Sequence, residues 1–212
     1  DYFNERATFL DDVNPPYIIK SERYFGSSLG VPIYTDGKLE FGYNYVWQDY
    51  EYYQTDNFIR GDTSDRTSFE GNRFYLQFDR NSLNRKQYAT KGSQFILRLS
   101  AVSGVEQTTT GSTTLKKSDI PAEREWFEVF LKFDKYLLRK RSIHLGVFLE
   151  GNISSLPLFQ NFTASNLISP SFAPLPDNLT IFQNQYRARS YAAAGIKAIY
   201  SYRDIIDIRS EV

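Results

Sequence analysis

From Lys38 to Gln48 the chain alternates closely enough to dictate its own geometry. The odd positions read Leu39, Phe41, Tyr43, Tyr45 and Trp47; the even ones read Lys38, Glu40, Gly42, Asn44 and Gln48, with Val46 the one exception. Successive side chains of an extended strand point to opposite faces, so this stretch has one apolar face and one polar face. The split recurs at Phe74, Leu76, Phe78 against Arg73, Gln77, Asp79, and at Phe95, Leu97, Leu99 against Gln94, Arg98, Ser100. It returns at Phe127, Val129, Leu131, Phe133 against Glu128, Lys132, Asp134, and at Ile143, Leu145, Val147, Leu149 against Ser142, His144, Glu150. Each run is close to the roughly 9–11 residues that a tilted strand needs to cross a bilayer. The pattern predicts an all-β fold, an antiparallel up-and-down transmembrane β-barrel.

Average composition does not oppose this. Hydrophobic content is 41% and mean hydropathy is −0.47, values that a barrel with alternate residues facing a wet lumen shares with water-soluble chains. No apolar run approaches the roughly 18 residues of a transmembrane helix, which removes helical membrane proteins. The 16 Tyr and 17 Phe exceed what a core alone requires, and aromatic girdles at two membrane interfaces account for part of the excess. With 25 basic and 25 acidic residues, no electrostatic case for nucleic acid exists. The absence of Cys removes disulfides and thiolate metal sites and leaves the redox compartment open.

Eight strand-like segments are predicted, at about 21–34, 38–53, 69–80, 93–103, 124–135, 142–152, 186–201 and 205–212. Residues 1–20, with Pro15-Pro16 and no clear period, form a linker or irregular lead-in, and 21–212 form the barrel domain. Thr35-Asp36-Gly37 is a tight turn in which Gly can take positive φ. Lys135–Arg141 and Tyr202–Asp204 are also short, and Asn81–Gly92 is moderate; these alternate with the long connections Gln54–Ser68, Gly104–Glu123 and Ile153–Gln185. Membrane barrels show this asymmetry, with short turns at one end and long loops at the other. Greek-key sandwiches have no reason to. Segment 186–201 carries small residues on one face (Ala188, Ser190, Ala192, Ala194, Ala198) and Arg187, Arg189 and Lys197 on the other; its Ala content also permits a helix. The chain starts at Asp1 without a signal peptide and stops at Val212 inside an alternating run, so a segment of a longer protein and an incomplete barrel are expected.

Asp79-Arg80-Asn81-Ser82-Leu83-Asn84, followed by Tyr88-Ala89-Thr90-Lys91-Gly92, resembles a periplasmic turn of the bacterial surface antigen family, the BamA-like outer-membrane proteins. There an Asp/Asn-rich stretch precedes Phe/Tyr-Pro-Thr-Lys/Arg-Gly; Ala89 stands here in place of Pro, and Thr90, Lys91 and Gly92 carry the match. The rhythm of the chain is most similar to the barrel behind patatin-like phospholipase domains, where a segment resembling Phe182–Arg209 leads into the closing strands. The family's Val/Ile-Arg-Gly-Phe/Tyr loop motif is missing, with Tyr186-Arg187-Ala188-Arg189 its degenerate counterpart. The resemblance implies a 16-stranded barrel in the outer membrane of a Gram-negative bacterium, of which this chain supplies about eight strands. It also implies outer-membrane lipid as a partner, and an attached N-terminal domain, such as a patatin-like lipase, anchored and displayed or translocated by the barrel.

The chemistry candidates carry little. Gly26-Ser27-Ser28-Leu29-Gly30 fits the nucleophile-elbow pattern, but that chemistry needs strand, sharp turn and helix. Val31-Pro32-Ile33-Tyr34 instead continues as strand, so Ser28 is not expected to be catalytic, and any hydrolase lies upstream. His144, the only histidine, cannot alone assemble a catalytic zinc site. No metal or cofactor is expected, and the segment itself is not expected to be an enzyme. Asn152, Asn161 and Asn178 each begin an Asn-x-Ser/Thr pattern, which an exposed loop rich in those residues also produces.

What remains is a mixed-sign polar set: Glu40, Arg73, Asp79, Arg98, Glu128, Lys132, Glu150, Arg187, Arg189 and Lys197, with Asp134. In a barrel these line the lumen and pair across strands. Balanced signs favour structural pairing over a charge-selective pore. The alternative is a soluble all-β ligand- or carbohydrate-binding module, which would bury Leu39, Phe41, Leu97, Val129 and Leu145 in one interior. A closed eight-stranded barrel would pair segment 21–34 with 205–212; a piece of a larger one would leave two open edges.

Overall fold

Two-residue periodicity rich in aromatic and β-branched residues builds long strands, because such side chains fit a pleated, half-buried surface. The computed structural model describes residues 2–3, 18–54, 61–114, 119–140, 142–173, 186–202 and 206–211. Among these residues nine strands follow in chain order: β1 (Tyr2–Phe3), β2 (Ile18–Tyr34), β3 (Gly37–Tyr52), β4 (Asp65–Asn81), β5 (Ser93–Thr109), β6 (Ala122–Lys140), β7 (Ile143–Ser154), β8 (Tyr191–Tyr202) and β9 (Ile206–Glu211). One short helix, α1 (Phe162–Ile168), lies between β7 and β8. The strands form a single sheet in sequence order, each antiparallel to the next. Among the described residues the sheet is open: β2 pairs with β1 and β3, and β9 with β8. Among the described residues no helix is long and apolar enough to cross a membrane, which says nothing of strands.

Several boundaries differ from the sequence reading. The lead-in contributes β1 and the first residues of β2, while residue 1 and residues 4–17 lie outside the described residues. β4 starts at Asp65 instead of 69, β5 runs on to Thr109, and β6 reaches Lys140. Segment 186–201 is strand only from Tyr191, and it is not a helix. The turn after β2 is tight, with Tyr34 paired to Gly37. Among the described glycines only Gly92 has positive φ, so Gly37 acts as a ladder residue. A bulge between Pro32 and Tyr34 precedes this turn, where proline lacks the N–H a regular ladder needs. The shortest connections, after β2, β6 and β8, do gather at one end of the sheet, the turn end. The 11-residue connection after β4 lies there too, however, and is nearly as long as the 12-residue ones after β3 and β5 at the other, the loop end.

The two faces exchange character part-way along the strands. Near the turn end the outer face carries Leu39, Phe41, Tyr43, Tyr45 and Trp47 on β3, Phe74, Leu76 and Phe78 on β4, Phe95, Leu97 and Leu99 on β5, and Phe127, Val129, Leu131 and Phe133 on β6. The register aligns them into one band. Towards the loop end the same outer face turns polar: Asp49 and Glu51, then Arg66, Ser68 and Glu70, then Gln107 and Thr109, then Glu123 and Glu125. The inner face runs the opposite way, from polar near the turns to a buried apolar cluster of Tyr50, Tyr52, Phe69, Val102 and Trp126 near the loops. Phe127 is 70% exposed and its neighbour Trp126 only 7%.

What covers that inner cluster is the β7–β8 connection. Leu156, Phe159, Ala164 and Leu167 fold back onto the concave face and join the same core. Asn161 opens α1 as its N-cap, its side-chain oxygen accepting from the Thr163 N–H at 2.7 Å, the geometry that favours Asn there.

Candidate functional site

The concave face is where chemistry-bearing side chains gather. Cross-strand register sets them in rows: Lys38, Asp79, Ile96, Lys132 and Glu150 in one, and Glu40, Gln77, Arg98, Phe130 and Asn152 in the next. Within them Lys38 Nζ meets Glu40 at 2.6 Å, Tyr75 donates to Glu40 at 2.7 Å, and Arg98 Nε donates to Gln77 at 2.7 Å. Lys132 pairs with Glu150 at 3.0 Å, Tyr191 donates to the other Glu150 oxygen, and Lys197 pairs with Asp134. Arg73 reaches Glu128 at 3.7 Å across the intervening β5 and donates to Ser100. Eight members of the sequence-derived polar set therefore share this face: Glu40, Arg73, Asp79, Arg98, Glu128, Lys132, Glu150 and Lys197. Opposite charges next to one another leave no field of one sign, an arrangement that favours cross-strand pairing in register.

Arg187 and Arg189 are not part of that ladder, because β8 begins after them. Arg187 donates to the carbonyls of Leu167 and Ser169 at 2.8 and 3.0 Å, and Arg189 to that of Leu156. Both therefore tie down the β7–β8 connection. Burial, opposed by Tyr50 and Glu22, lowers the Arg187 guanidinium below its usual value.

The sequence reading missed the ion pair with a fully buried carboxylate. Glu106 is completely buried and bound by Arg124 at 2.6 Å, and it also accepts from Thr108 and from the Gln160 N–H at 2.7 Å. It thus nails the folded-back connection to β5. Arg124 in turn lies over the Phe159 ring at 5.6 Å. Its signal was present, since Gly104, Glu106 and Thr108 continue the phase of Arg98, Ser100 and Val102, but β5 was expected to stop at 103.

Thr90, Lys91 and Gly92 close the β4–β5 connection. Asn84 Oδ1 accepts from the N–H groups of Thr90 and Lys91 at 3.0 and 3.1 Å. Gly92 has φ 98°, and a Cβ there would come within 2.2 Å of the Ser82 carbonyl oxygen, so glycine is the one residue that fits. Ser28 sits mid-strand opposite Gly42, and β2 continues through Tyr34, so the nucleophile-elbow turn is not formed. His144 is buried on the inner face of β7 opposite Ile199. Among the described residues no group of three or more His, Cys, Asp or Glu could hold a metal ion. Of the three Asn-x-Ser/Thr patterns, Asn152 is buried in β7 rather than in a loop, Asn161 is the helix cap, and Asn178 lies outside the described residues.

A cavity of about 560 Å³ occupies the concave face near the turn end, between the β4–β5 connection, the inner faces of β6–β8 and the Ser171–Ala173 segment. No family model matches the chain, and neither a curated protein nor a solved structure does.

Proposed function

We propose that this chain is a segment of an outer-membrane β-barrel of the surface-antigen type, seated in lipid by the turn-end half of its strands. It anchors, and displays or translocates, an attached N-terminal domain. One observation carries the reading: the turn-end half points apolar side chains outward and polar ones inward, the reverse of a protein that packs its core in water. Phe25, Leu29, Phe127 and Ile153 are each at least 70% exposed. From Leu39 to Trp47 the band on β3 spans about 27 Å along the strand at roughly 3.4 Å per residue. At a tilt of about 40° that becomes roughly 21 Å of height, near the apolar belt of about 25 Å that membrane barrels present. Tyr43, Tyr45 and Trp47 at the upper margin suit an aromatic girdle.

The open edges support the same reading. Unpaired backbone N–H and C=O groups cannot face hydrocarbon, so a sheet seated there is completed by further strands. A 16-stranded barrel, with about eight strands from this chain, meets that demand.

Expression of the full-length protein in a Gram-negative host, followed by labelling with a lipid-soluble photoprobe, tests this. Labels are expected on Phe41, Leu97, Leu99, Val129 and Leu145, and none on Glu51, Glu70 or Glu125. Recovery as a folded, monodisperse protein from an aqueous lysate without detergent would overturn the proposal.

A further inference from the structure

The β4–β5 connection does more than turn the chain. Instead of hanging free below its own strands, it crosses the concave face to β9. Arg85 pairs with Asp207 at 3.2 Å, Arg209 donates to the Ala89 carbonyl, and the Arg209 guanidinium lies 5.3 Å from the centre of the Tyr88 ring. These contacts join residues about 120 positions apart in the chain. Tyr88 holds φ at 51°, a left-handed conformation unusual for an aromatic residue, and one that is kept only where surroundings over-determine it. Burial follows the crossing: Ala89, and His144, Ile199 and Ser201 on the inner face of β7 and β8, are all buried. Leu83, Lys86, Gln87 and Tyr88 form the turn-end wall of the 560 Å³ cavity.

We propose that residues 82–92 are a gate: a strap latched to β9 through Arg85, Tyr88 and Arg209 that closes the cavity towards the turn end, and whose release opens it to that side of the membrane. The strap is rigid within itself, through Asn84 and the Ser82–Ser93 hydrogen bonds at its base. Its hold on β9 includes an exposed ion pair, a hydrogen bond and a cation–π contact, each of which contributes little alone. Asn84 keeps the strap folded when the latch lets go, so it swings as a body instead of unravelling.

That the cavity belongs to a membrane-barrel lumen rests on the reading above; the latch itself does not. This segment has no cysteine, so once any cysteine elsewhere in the full-length protein is replaced by serine, single thiols can be placed at will. In the full-length protein in native membranes, Gln94→Cys puts a thiol in the cavity, and its rate of reaction with a bulky charged maleimide reads access. Arg85→Ala is expected to raise that rate a few-fold, and Arg209→Ala with Arg85→Ala to raise it about tenfold or more, since several weak links are then lost together. A second protein with Arg85→Cys and Asp207→Cys, joined by a short bismaleimide, should lock the strap and exclude a fluorescent probe of the same size as the maleimide. Unchanged rates in latch variants that still show folded electrophoretic mobility would overturn the gate, as would failure of the bismaleimide to join the two positions. Should the protein fractionate as soluble, the barrel reading fails, and the same rates measured in solution still decide the latch.

Discussion

The two halves of each central strand are built from the same backbone ladder but solve opposite problems. Near the loop end, Tyr50, Tyr52, Phe69, Val102 and Trp126 face inward and are covered by Leu156, Phe159 and Leu167, while Glu51, Glu70 and Glu125 face out. Near the turn end, charges face inward and pair, while Phe41, Leu99 and Phe127 face out uncovered. Because strand side chains alternate with a period of two, this exchange needs no bend or bulge. It needs only that apolar residues change from one parity to the other, as they do on β3 between Trp47 and Tyr50. A single sheet can in this way rise from one solvent into another and carry its own cap above the boundary.

The sharpest way to break that contrast is at the cap. Truncating one member of a buried, hydrogen-bonded ion pair costs about 3–5 kcal/mol, so Glu106→Ala should release the folded-back connection and expose Trp126. Tryptophan fluorescence during urea unfolding in micelles should show an early transition that the wild type lacks, with strand content by circular dichroism retained through it. If sheet and cap unfold together in the variant, the halves are not separable. The next largest effect belongs to the turn-end half and depends on lipid. Leu99→Arg should cost about 2–4 kcal/mol for folding into bilayers. Gln107→Arg, on the same face of the same strand, should stay within about 0.5 kcal/mol. Equal costs at the two positions would erase the boundary.

The turn-end half was legible in the sequence because its apolar residues share one parity over long runs, and the register follows from tight turns. The loop-end half was not. Phe69, Val102 and Trp126 lie on the parity occupied elsewhere by Arg73, Arg98 and Glu128, so they read as interruptions; Val46 is an exception to the polar face for the same reason. The partners that explain them, Leu156 to Leu167, are far away in sequence, and only tertiary folding brings them near. Glu106 was lost with the end of β5. Arg187 and Arg189 were assigned to a strand by parity alone, although the backbone there serves the connection. The path of residues 82–92 to β9 leaves no local trace at all, because its anchors, Asp207 and Arg209, are separated from it by four strands.

A smaller effect tests whether the cap depends on its helix. Asn161→Ala removes the N-cap acceptor of α1 and should cost about 1 kcal/mol, whereas Asn161→Asp, which keeps an acceptor, should cost a few tenths at most. Hydrogen exchange at the Thr163 amide would resolve the two. An equal loss of protection in both variants would mean that packing by Leu167, and not the cap, holds the helix.

The smallest effect lies at the rim, above the apolar band, where Glu22 on β2 takes Lys20 at 2.9 Å, Tyr50 at 2.9 Å and Gln48 at 3.2 Å. The two partners report opposite balances. Burial works against the Glu22 carboxylate, but the Lys20 charge and the hydrogen bonds outweigh it and hold the carboxyl below its usual 4.5. At Lys20 burial, aided by Arg187, outweighs Glu22 and lowers the ammonium below 10.5. The acid limb is where the Glu22 carboxyl of this pair titrates. Between the lowered folded value and 4.5 the unfolded chain binds more protons than the folded one, so stability rises with pH there. The contribution is complete above 4.5 and disappears as pH falls through the folded value. Glu22→Gln should flatten that limb by less than about 1 kcal/mol, the scale of a partly exposed pair, while leaving stability between pH 5 and 8 independent of pH from this source. Urea midpoints of wild type and variant from pH 3 to 6 would show the difference, and parallel curves would mean that the rim carboxylate does not hold the edge of β2 to β3.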